Sequence, residues 1–67
     1  MQPAEAPSID AVIERAVEVI GDRDVAMRWL GTPVPALDYA TPISLMSKPH
    51  GRFEVVAALT RLEHGVM

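Results

Sequence analysis

The chain has 67 residues, no cysteine, and a formal net charge of −3 from six basic and nine acidic side chains. A domain this small buries only about 60% of the surface its unfolded chain exposes; with disulfides excluded and two isolated histidines offering no structural metal site, a partner chain is the remaining stabiliser. The acidic balance argues against a nucleic-acid surface, which carries a basic patch; no apolar run approaches the ~20 residues a membrane span needs, and the first seven residues lack a secretory signal, so a cytoplasmic protein is expected.

Residues 1–8, with Pro3 and Pro7 among small residues, read as a disordered lead-in to a domain over 9–67. Ser8 is a good N-cap for a first helix. Ile9, Val12, Ile13, Ala16, Val17 and Ile20 recur at helical spacing on one face. Asp10, Glu14 and Glu18 fall on the other face, as a solvated stripe or one that meets a basic partner. Gly21 is a natural stop.

A second helix is expected after Asp22 and through to Leu30, with Val25, Ala26, Trp29 and Leu30 inward and Trp29 closing the core. Gly31 ends it. The loop to Ala40 holds Pro33 and Pro35; Pro35 can open one short turn through Leu37, with Leu37 and Tyr39 folding back on the core. Thr41-Pro42 is a cap-and-first-turn pair for a short helix, Ile43 to Ser47, which Pro49 stops by disfavouring helical geometry at Lys48.

The last helix is expected from about Gly51 to His64. At 100° per residue it carries two apolar stripes. Phe53, Val56, Ala57 and Thr60 form one; Val55, Leu59, Leu62 and Val66 form the other, nearly opposite. A helix apolar on two sides is either central in its fold or shared with a partner. In so short a chain the second stripe is assigned to a partner.

Reaction chemistry is hard to find. The sequence has no phosphate-binding loop, dinucleotide-binding glycine pattern or metal-binding histidine pair. His50 lies in a Pro-His-Gly turn, and His64 suits a helix C-terminus. A helix-turn-helix reading fails as well, because that motif needs a turn of about three or four residues between its helices. Neither an enzyme nor direct DNA binding by this chain is expected, and no cofactor is called for.

One ordered pattern remains: Gly21-Asp22, Ala26, Trp29-Leu30, Thr32-Pro33, Leu37, Thr41-Pro42, Leu45, Gly51, Val55, Leu59, and Leu62-Glu63-His64-Gly65. It resembles the C-terminal toxin-binding domain of the Xre/MbcA/ParS antitoxins over about two thirds of the chain. The resemblance implies an antitoxin that blocks the NAD pocket of a RES-domain toxin, an enzyme that consumes NAD or transfers ADP-ribose from it. It implies a toxin-binding set of Val55, Leu59, Leu62, Glu63, His64, Gly65, Val66 and Met67. It implies a hetero-oligomeric toxin–antitoxin complex, or a homo-oligomer. Many members carry a DNA-binding region before this domain. Only about eight residues precede the first helix here, so autorepression by this chain alone is not expected. Val66 and Met67 form too short a tail for a long plug.

The expected architecture is therefore all-α: a small bundle of about four helices whose last, C-terminal helix faces a partner. The rival reading is a non-enzymatic oligomerisation or scaffold module that contributes to transcriptional autoregulation by another chain.

Overall fold

The computed structural model describes residues 5–65. Among them four α-helices and one 3-10 turn are present, and no strand. The all-α expectation holds.

The first helix, α1, spans Ile9–Ile20. Its start is fixed by Ser8, whose extended backbone leaves Oγ free to accept the Ala11 N–H at 3.0 Å. Its end is fixed by Gly21, which turns into the left-handed region at φ 90° and donates its N–H to the Val17 carbonyl. The next helix, α2, spans Arg23–Leu30, and Asp22 caps it by accepting the Val25 N–H at 2.9 Å. Each such cap is worth about 1 kcal/mol. The single residue Gly21 thus separates the end of one helix from the cap of the next, which folds α2 back along α1.

Only Ala26 and Leu30 of α2 are buried. Val25, expected inward, is 45% exposed. Two turns of helix present a narrow inner face, and the pair four apart takes it. Trp29 is half-buried and packs on the core's edge.

The 3-10 turn, Pro35–Leu37, lies where Pro35 placed it. Leu37 packs against the core as expected. Tyr39 does not: it is 70% exposed. Asp38 and Tyr39 are both left-handed, at φ 60° and 66°. They close a small loop in which Tyr39 donates its N–H to Val34 and Val34 donates to Ala40. That backbone path throws the tyrosine ring outward.

The short helix α3 spans Pro42–Leu45, with Pro42 as its first residue. It stops before the expected Ser47. The long helix α4 spans Pro49–Glu63 and starts two residues before the expected Gly51. Pro49 restrains only its predecessor: Lys48 is extended, at φ −118° and ψ 144°, while Pro49 itself occupies the first helical position, where no N–H is needed. The same proline ends one segment and opens the next.

Gly51 explains how α3 and α4 meet. A Cβ added there would sit 1.8 Å from the Leu45 carbonyl oxygen, so the backbones approach to a distance only glycine permits. Around this junction the core collects Val12 and Ala16 from α1, Ala26 and Leu30 from α2, Met46 after α3, and Val55 and Leu59 from α4.

Two arginines tie α4 to the chain at α1, one to Pro7 just before that helix and one from within it. Arg52, near the start of α4, donates from Nε to the Pro7 carbonyl at 2.7 Å and from Nη1 to the Met46 carbonyl at 2.8 Å. Arg15, midway along α1, bonds Glu63 at the end of α4. Start meets start and later meets later, so the two helices run in the same general direction. Arg52 also anchors the last residues of the expected lead-in; residues 1–4 lie outside those described.

Candidate docking surface

The site expected from the sequence lies on α4, and the structure divides it. The buried residues of α4 are Gly51, Val55, Ala58 and Leu59. Val55 and Leu59 are fully buried, so neither can touch a docked partner while the fold is intact. The stripe assigned to a partner is the core seam, and this corrects the expectation for those two residues. The other stripe faces outward: Phe53 is 43% exposed, Ala57 and Thr60 are exposed, and Val56 is partly covered. Periodicity shows that α4 has two apolar faces but not which one is inward. Gly51 held the missing signal. It shares a face with Val55 and Leu59, and a glycine inside a helix marks close backbone approach.

The inner seam outruns the core. Leu59 is the last buried residue, and every described residue after it is exposed. Leu62 continues the seam by one step, on the same side of the helix as Val55 and Leu59, yet is 50% exposed. It forms the lip of an apolar cleft of about 520 Å3. One wall is Trp29, Val34, Pro35 and Ala36; the other is Ala58, Arg61 and Leu62. A smaller recess of about 260 Å3 adjoins it, where Leu37 and Asp38 face Glu54, Ala57 and Arg61. Arg61 borders both. This cleft leaves no signal in the sequence, because its walls come from segments that only tertiary packing brings together.

The tip of α4 is polar. Glu63 pairs with Arg15, whose other arm bonds Glu18 at 2.9 Å. The bond to Glu63, and then that to Glu18, hold the Arg15 guanidinium even more firmly protonated than usual. His64 caps the helix by donating its backbone N–H to Thr60 at 3.1 Å, and Gly65 turns left-handed at φ 68° while donating to Leu62. Leu62, Glu63, His64 and Gly65 are thus together on one exposed helix end. Val66 and Met67 lie outside the described residues. His50 is at the far end of α4, paired with Glu54 at 3.1 Å.

These groups can bind more readily than they can react. The cleft offers aromatic and aliphatic walls and one guanidinium, a combination suited to an apolar anchor next to a carboxylate. Among the described residues no cluster of three or more His, Cys, Asp or Glu could hold a metal ion. None of their helices is long and apolar enough to cross a membrane.

Comparison with known proteins agrees with the pattern read along the chain. Residues 15–65 match the family model of the antitoxin Xre/MbcA/ParS C-terminal toxin-binding domain. The chain is 35% identical over 57 residues to an antitoxin Xre of Photorhabdus laumondii, covering 84% of this chain and 38% of that protein. It is 39% identical over 56 residues to an antitoxin Xre of Yersinia enterocolitica, covering 82% of this chain and 38% of the relative. The chain therefore spans well under half the length of these relatives. No solved structure matches it significantly. The matched span runs from Arg15, which ties down the tip of α4, to Gly65, which ends it, and the chain belongs to the Xre/MbcA/ParS antitoxin family as its C-terminal toxin-binding domain.

Proposed function

We propose that this chain is the toxin-binding part of an antitoxin and that it neutralises a RES-domain toxin by covering the toxin's NAD site with the C-terminal end of α4. One observation carries the reading: an apolar seam that should end in the core instead emerges at Leu62, half exposed, on the lip of an open apolar cleft. Exposed apolar surface framed by polar residues marks interaction sites.

The contact set is Leu62, Glu63, His64 and Gly65, continued by Val66 and Met67. Val55 and Leu59 support it from beneath. The action is steric and needs no cofactor or reaction of its own. It takes place in the cytoplasm, in a hetero-oligomer with the toxin.

The test is NAD consumption by a cognate RES-domain enzyme, with and without this protein at equal concentration. Inhibition is expected, weakened by removal of Val66 and Met67. A stable complex that leaves NAD consumption unchanged overturns the blocking mechanism. It would move the domain's role to assembly or to autoregulation by another chain.

A further inference from the structure

We propose that Arg15 is a positioning residue for the docking end: pre-oriented by Glu18, it holds Glu63, and through Glu63 the last turn of α4, so that Leu62 faces the cleft before any partner arrives. This rests on the toxin-docking reading above.

The need for such a tether follows from burial. From Thr60 onward no described residue of α4 is buried. A helix end without core contact has carbonyls that lack helical partners, and it frays at little cost. A recognition surface on a fraying turn must be ordered at the moment of binding, which weakens the complex.

The choice of residue points the same way. Glu63 is the last residue of α4, at the negative end of the helix dipole. A carboxylate there is unfavourable unless a cation stands beside it. Arg15 supplies that cation from another helix, 48 positions away in sequence. Both terminal nitrogens are engaged: Nη1 bonds Glu18 on its own helix at 2.9 Å, and Nη2 bonds Glu63. Glu18 lies three residues along α1, so it fixes the arginine's direction before Glu63 is engaged. The side chains of Arg15 and Glu63 are 30% and 44% exposed. A pair this open contributes little to global stability, and its effect is local to the turn it holds.

Three variants test this: Arg15→Gln, Glu63→Gln, and the exchanged pair Arg15→Glu with Glu63→Arg. Two readouts are taken. One is amide hydrogen exchange from Leu62 to Gly65 in the free protein; the other is inhibition of NAD consumption by the RES-domain enzyme. Each single variant is expected to keep its helicity, speed that exchange, and weaken inhibition, each by about fivefold or less. The exchanged pair sets a carboxylate at position 15 beside Glu18, so it is expected to recover the slow exchange only in part, and not the inhibition, because Glu63 is itself in the contact set. High salt should shrink the difference between wild type and Arg15→Gln, because an exposed pair is screened.

Inhibition by Arg15→Gln equal to wild type overturns the positioning role and leaves the docking reading intact. Weakened inhibition in Glu63→Gln with exchange from Leu62 to Gly65 unchanged also overturns it, because Glu63 then acts through toxin contact alone. A wild-type chain that does not inhibit the enzyme removes the docking reading, and the positioning role falls with it.

Discussion

From Gly51 to Leu59, α4 lies against α1, α3 and the 3-10 turn, and its inner residues are buried. From Thr60 to Gly65 the chain is exposed throughout, although the apolar periodicity continues through Leu62 without a break. One continuous helix thus meets two environments with one pattern. Its first part is spent on holding a small fold together. Its last turn extends the same seam beyond the core and leaves it exposed. The exposed end thereby inherits its alignment from the core beneath it.

Breaking the first part is expected to have the largest effect. Gly51→Ala places a Cβ 1.8 Å from the Leu45 carbonyl oxygen and 2.7 Å from its carbon, both backbone atoms that cannot swing aside. A loss of about 3 kcal/mol or more is expected, a large share of the few kcal/mol such a domain has. Thermal or urea unfolding followed by circular dichroism measures it; an unchanged midpoint would show that α3 and α4 are not in close contact. Leu59→Ala follows, with a loss of about 2–5 kcal/mol for a fully buried leucine. If Leu59→Ala weakened inhibition without lowering stability, the division of α4 drawn here would be wrong.

Leu62→Glu sharpens the comparison from the other side. Its unfolding midpoint should shift by no more than about 0.5 kcal/mol in stability, as for other exposed sites. Toxin inhibition should fall by at least about tenfold, the loss of one interface anchor. A variant that unfolds instead would assign Leu62 to the core. The smallest effect is expected away from α4: Asp22→Ala removes the bond to the Val25 N–H and costs about 1 kcal/mol or less of stability, with inhibition at saturating protein unchanged.

The sequence was most legible where structure is local. Ser8, Gly21, Asp22 and Pro42 fix helix ends through hydrogen bonds or backbone angles within a few residues, and each lies where expected. Pro49 misled because its constraint on Lys48 was read as a gap between helices, when the proline itself begins α4. Tyr39 misled because an aromatic ring suggests burial, while two successive left-handed residues set its direction. Of the expected set, Leu62 to Gly65 are exposed and Val66 and Met67 lie outside the described residues, while Val55 and Leu59 were taken as surface because periodicity alone cannot orient a helix with two apolar faces. The bond of Arg15 to the end of α4 carried no local signal. The partner lies 48 residues away, and only the packing of α1 beside α4 reveals it.

Trp29 has a consequence of another kind. It is the only tryptophan in the chain, and it lies half-buried in the wall of the cleft whose lip is Leu62. Its indole emission is therefore an intrinsic optical probe of whether that cleft is wet. Seating an apolar group there displaces water from the ring and moves the emission to shorter wavelength, so partner engagement can be followed in solution without a label, by light from a residue already in place.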